Sequence, residues 1–97
     1  MLIETPYKKG DVVTVRLSSG EEIVARMQDE TDTVLKLSKP MAAMMAEKGL
    51  ALIPFILTVD PETDINLNKN QVMFVAKPVK EISDHYLQST TGISLGI

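Results

Sequence analysis

Between Asp11 and Leu37 the apolar residues recur at every second position: Val13, Val15 and Leu17, then Ile23, Ala25 and Met27, then Leu35 and Leu37. That is the period of a β-strand, whose side chains alternate between two faces. The intervening Thr14, Arg16, Glu22, Arg26 and Lys36 are polar, so each strand has one apolar and one mostly wetted face, with Val12, Val24 and Val34 interrupting the alternation. β-Branched residues dominate the stretch and fit a pleated surface. Gly20, after Ser18 and Ser19, stands where a short hairpin needs a residue that takes positive φ. Asp29 to Thr33 is a second polar turn, rich in residues that hydrogen-bond their own backbone. The pattern predicts a three-strand meander over residues 10–37.

Beyond Leu37 the period changes. Ser38 can cap, Pro40 suits a first helical turn, Met41 to Lys48 is rich in helix formers, and Gly49 ends the run, which predicts a short helical insertion over 38–49. Met41, Met44 and Met45 share one face at helical spacing, as flexible core filler or as a soft docking surface. Residues 50–59 form a nearly continuous apolar run that reads as a fourth strand. Pro54 cannot donate to a ladder, so this strand is an edge or is bulged there, and an open apolar edge invites another chain to pair with it. Asp60 to Asn70 reads as a long polar loop and 71–77 as a fifth strand. Val79, Ile82 and Tyr86 fall on one helical face and predict a helix over 78–88. The tail 89–97 carries Ile93, Leu95 and Ile97 and is either frayed or an arm gripping a neighbour.

With 97 residues the chain makes one domain. A domain of this size buries only ~60–65% of its unfolded surface and gains from association with partners. A formal charge of −3 gives no overall footprint for phosphate binding. The absence of cysteine excludes disulfides and thiolate metal sites. Met1 to Gly10 lacks the continuous apolar core of a signal peptide, and the run Leu50 to Val59 is too short to span a bilayer. A soluble, cytoplasmic protein without membrane contact is expected.

Candidate chemistry is sparse. Asp29, Glu30 and Asp32 read as a solvated turn. Asp64, Asn66 and Asn68 imitate the start of a calcium loop, but Lys69 occupies the glycine position and Val75 the position of the bidentate glutamate. His85 has no second histidine or cysteine to complete a metal set, and no nucleophile elbow or glycine-rich phosphate loop is present. No enzyme, cofactor or metal is expected. Arg16, Arg26 and Lys36 occupy outward positions on three consecutive strands, either as ordinary surface charge or as a stripe for nucleic-acid contact.

The segment Val12 to Gly20, followed by Ile23, Ala25 and Met27, resembles the first Sm motif of Sm and Sm-like proteins. There an apolar strand ends in leucine, two residues precede a glycine, and a second small residue follows five positions later; Leu17, Gly20 and Ala25 fill those places, the last normally glycine. The match covers about a third of the chain. The whole sequence is also similar to small Sm-like proteins encoded by T4-like phages of marine bacteria, which implies a host cytoplasm. Sm proteins that hold uridine use an aspartate and a Met-Asn pair after the second strand and an Arg-Gly pair after the fourth. Here those places hold Thr31, Val34 and Leu35, and the fourth strand is followed by Val59-Asp60-Pro61-Glu62. The usual N-terminal helix has no counterpart.

The resemblance implies a mostly β, five-stranded, bent antiparallel SH3-like barrel, with the helical insertion after strand 3 and the C-terminal helix added. It also implies a non-enzymatic subunit of a cyclic homo-oligomer serving as a binding scaffold. The expected interface pairs strand 4 of one copy with strand 5 of the next through Leu50, Leu52, Ile53, Phe55, Leu57, Val72, Phe74 and Ala76. The alternatives are an RNA-binding protein of the Sm or host-factor kind and a protein-interaction adaptor.

Overall fold

The computed structural model describes residues 7–91. Along the chain run β1 (Val12–Leu17), β2 (Glu22–Glu30), β3 (Val34–Ala46), β4 (Gly49–Pro54), β5 (Ile65–Asn68), β6 (Val72–Ala76) and the helix α1 (Lys80–Thr90), with one 3-10 turn at Lys69–Gln71. Every strand pair is antiparallel. The order across the sheet is β4-β3-β2-β1-β6, and β5 lies along β3 off this path. Among the described residues the fold is therefore mostly β, a single antiparallel sheet followed by one helix.

The alternation in the first three strands becomes the core. Val13, Val15, Leu17, Ile23, Ala25, Met27, Leu35 and Leu37 form one buried cluster, against which Tyr7, Phe55, Leu67, Val72 and Val75 pack. The first hairpin closes as its sequence demands. Gly20 N–H donates to Leu17 O and Leu17 N–H to Glu21 O, each at 2.9 Å, with Gly20 at φ +100°.

Residues 38–49 correct the helical reading. β3 continues to Ala46, turns at Glu47-Lys48 and returns as β4, with Met41 opposite Pro54 and Ala46 opposite Gly49. On its other side β3 pairs Met41, Ala42 and Ala43 with Val24, Ile23 and Glu22. A run of about eight helix formers is too short to hold a helix by propensity alone. Two flanking ladders satisfy the same backbone groups, so tertiary pairing overrides the weak local preference. Gly49, expected as a helix stop, sits at φ +122° after the hairpin turn.

Two further boundaries move. The fourth strand, expected over 50–59, ends at Pro54, and the next N–H, that of Phe55, donates to Pro40 O at 3.0 Å. The polar loop 60–70 contains β5, whose Ile65 and Leu67 lie opposite Leu37 and Leu35, so among the described residues the sheet has six strands rather than five. The strand expected over 71–77 is β6, Val72–Ala76. The helix expected over 78–88 runs Lys80–Thr90, and residues 92–97 of the expected tail lie outside the described residues.

β3 bends at a bulge. Val24 faces Met41 while Arg26 faces Ser38, so Lys39 and Pro40 together oppose Ala25. Lys39 takes φ +49°, an uncommon value for a side-chain-bearing residue, at a position where the following proline disfavours the right-handed helical region. Pro40 has no N–H to offer a ladder and is tolerated at a bulge. The buried Tyr86 of α1 reaches this bulge, its hydroxyl 2.9 Å from Ser38 O and 3.0 Å from Lys39 O.

Candidate functional site

Strand partners share a face, so the registers can be followed across the sheet as rows of side chains. One row runs Val75, Val15, Ile23, Ala42, Ile53 on the core face. Its middle is closed, with Val15 fully buried and Ile23 1% exposed, but Ile53 at the β4 end is 43% exposed. A second row, on the outer face, runs Phe74, Arg16, Glu22, Ala43, Leu52. Phe74 at its β6 end is 49% exposed.

β4 and β6 are the two ends of the sheet path, and among the described residues neither has a second strand beside it. Each end therefore carries a line of backbone N–H and C=O groups available to another strand. The expected interface residues divide between these ends. Leu50, Ile53, Leu57 and Phe74 are exposed. Leu52, Phe55, Val72 and Ala76 are half-buried, and Phe55 and Val72 pack against the core. Leu57 lies beyond β4, so it belongs to the following segment rather than to the strand edge. Met73, absent from the expectation, is 65% exposed at a register shift in β6 opposite Arg16 and Leu17.

Arg16, Arg26 and Lys36 all occupy outer-face positions, but the registers do not align them. Arg16 stands opposite Glu22 and forms an ion pair with it at 3.0 Å. Arg26 lies four residues further along β2, about 13 Å away at ~3.3 Å per residue, and its guanidinium donates to Gly10 O at 2.9 Å. Lys36 lies opposite Asp29. The three cations form a diagonal interleaved with carboxylates, which weakens a continuous positive stripe.

The methionines read as one helical face are spread along a strand. Met41 is half-buried at the bulge, whereas Met44 and Met45 lie near the tip of the β3–β4 hairpin, Met45 being 79% exposed. The acidic residues of 29–32 are tied locally: Asp29 Oδ1 accepts from Glu30 N–H, and Glu30 pairs with Lys69 at 2.6 Å and accepts from the Tyr7 hydroxyl at 3.2 Å. His85 is exposed on α1. Among the described residues, no three His, Asp or Glu side chains are grouped so that they could hold a metal ion, and no helix is long and apolar enough to cross a membrane.

A cleft of about 250 Å³ opens where the bulge, the segment after β4 and the last turn of α1 meet. Its apolar walls include Pro40, Met41, Pro54, Ile56, Val59 and Ile65, and Lys39, Glu62 and Thr90 stand among its polar groups. Nothing in the sequence pattern foretold it, because its walls come from three segments joined only by the fold.

Burial raises the pKa of the Tyr86 phenol above the ordinary value of 10.0, against the lowering influence of Arg26. Burial also raises that of Tyr7, reinforced by the Glu30 carboxylate. Both shifts favour the neutral, protonated phenol. Compared with known proteins, the chain matches no protein-family model, and no curated protein matches its sequence.

Proposed function

We propose that this chain is a non-enzymatic Sm-like subunit, an SH3-like barrel protomer whose copies close into a cyclic homo-oligomer that serves as a binding scaffold. The β4 edge of one copy pairs with the β6 edge of the next. The observation that carries this reading is the pair of unpartnered strand edges at the two ends of a β4-β3-β2-β1-β6 sheet, each with an exposed large apolar residue, Ile53 and Phe74. Because the two edges are different surfaces, their contact is head-to-tail, and such contacts form rings when the rotation between copies closes. The resemblance of Val12 to Met27 to the first Sm motif supports the same assembly.

The mixed charge of the outer face favours scaffolding over RNA binding, since Arg16 is paired with Glu22 and Arg26 is engaged by Gly10. Light scattering across a sizing column, recorded with nucleic-acid and protein absorbance together, tests the reading. A discrete multiple of 10.7 kDa without nucleic acid is expected. The same multiple carrying RNA would move the function to Sm-type RNA binding, and a 10.7 kDa species at every concentration would remove the ring.

A further inference from the structure

The helix α1 crosses the outer face of the sheet. It follows β6 after residues 77–79, and its last turn meets β3 at the bulge, where Lys39 Nζ donates to Thr90 O at 2.9 Å. From β6 to β3 the path passes β1 and β2, a width of ~14 Å, and a helix of this length covers about 16 Å. Arg26 and Gln28 of β2 line one hollow with Tyr86 and Thr90. On the same face Val24 stands opposite Thr14 and Met41 and is only 2% exposed, although it lies outside the buried core cluster. Among the described residues α1 is the element placed to cover it.

The helix and the sheet depend on each other unequally. No residue of α1 belongs to the core cluster, so the strands keep that cluster whether or not the helix is in place. α1 has little to hold it when it stands alone. Its 11 residues fall below the length at which an isolated helix persists in water. Its N-cap, Val79, makes no side-chain cap bond, and its last turn carries no basic residue. Tyr86 is its one buried residue. The hydroxyl of Tyr86 on the Ser38 and Lys39 carbonyls, and Lys39 Nζ on Thr90 O, tie the helix down at a single bulge.

We propose that α1 is a cover that opens from the sheet as a unit, turning on residues 77–79, while β1, β2 and β3 stay folded. Opening breaks the ties at Ser38 and Lys39 and exposes an outer-face strip of Val12, Val24 and Met41 beside Arg26. A segment with one buried anchor opens at lower cost than the strands that share the core. This inference does not depend on the ring, because it uses neither the β4 nor the β6 edge.

The test uses the absence of native cysteine. Val24→Cys and Val15→Cys are the same substitution at two buried positions, the first on the outer face and the second in the core cluster. Under native conditions a thiol reagent should label Val24→Cys at least roughly ten-fold faster than Val15→Cys, since only the first is freed by the helix alone. Adding Tyr86→Phe should speed labelling of Val24→Cys by about ten-fold through loss of the docking bond. The unmodified chain supplies a second reading by amide hydrogen exchange. The amides of residues 84–90 should exchange faster than those of β1 and β2, with a shallower dependence on urea below the unfolding transition, because opening the helix exposes less surface than unfolding the chain. Equal labelling of the two thiols, no response to Tyr86→Phe, or helix and strand amides exchanging together with one urea slope would overturn the proposal.

Discussion

The hydroxyl of Tyr86 lies 2.9 Å from the carbonyl oxygen of Ser38, joining the helix to the bulge in the longest strand. The bulge needs such a partner. Lys39 and Pro40 interrupt the ladder between β2 and β3, and Pro40 offers no N–H, so carbonyls there require donors from outside the sheet. Replacing Tyr86 by Phe keeps the ring and removes the donor. A loss of about 1–2 kcal/mol is expected, read as a lower urea midpoint at an unchanged slope. An unchanged midpoint would show that the bond contributes nothing.

The same phenol makes stability fall at high pH. Its pKa in the folded chain is raised above the ordinary 10.0, mainly by burial. The folded state therefore keeps a proton that the unfolded state releases, so stability is complete below the unfolded value and declines as pH rises through it. Tyr7 contributes in the same direction. Urea midpoints measured across the alkaline range should fall for the parent chain and fall less steeply for Tyr86→Phe. A parallel decline in the two would assign the effect to other groups.

The strand assignment of 41–46 separates two substitutions. Leu37 is 1% exposed in the core, and Leu37→Ala should cost about 2–5 kcal/mol. Met45 lies near the hairpin tip, and Met45→Lys should change stability by no more than about 0.5 kcal/mol. A large loss at Met45 would place it in a packed helix face, the arrangement that its spacing from Met41 predicts.

Gly20 isolates a backbone effect. At φ +100° a Cβ on this residue would meet nothing within 4 Å, so Gly20→Ala adds no clash with a neighbour. The positive φ alone should cost about 1–2 kcal/mol in a thermal or urea melt. A neutral outcome would mean that the turn adopts another geometry.

What was legible in the sequence was the part decided locally. The eight residues of the buried cluster are those marked by strict alternation between Val13 and Leu37, and the glycine of the first hairpin follows from its place after Ser18 and Ser19. Tyr86 lies on the buried side of the helix, as its spacing predicts, although Val79, which the same spacing puts on that face, is the exposed N-cap. The rest depends on distant partners. Met41 to Ala46 is a strand because β2 and β4 flank it, and Ile65 to Asn68 is a strand because Val34 to Leu37 receives it. The alignment of Arg16, Arg26 and Lys36 depends on register, and two shifts between β2 and β3 help to set it. None of these pairings leaves a local signal, and neither does the cleft.

The central claim, that β4 of one copy pairs with β6 of the next, is tested most directly by spoiling one edge at a time. Ile53→Glu damages the β4 edge and leaves β6 intact, while Phe74→Glu does the reverse; both positions are exposed enough for the fold to accept a carboxylate. Light scattering should give 10.7 kDa for each variant alone, and twice that for their equimolar mixture, because exactly one sound edge pair remains between them. Two variants that keep the parent's mass, or a mixture that stays at 10.7 kDa, would contradict the account.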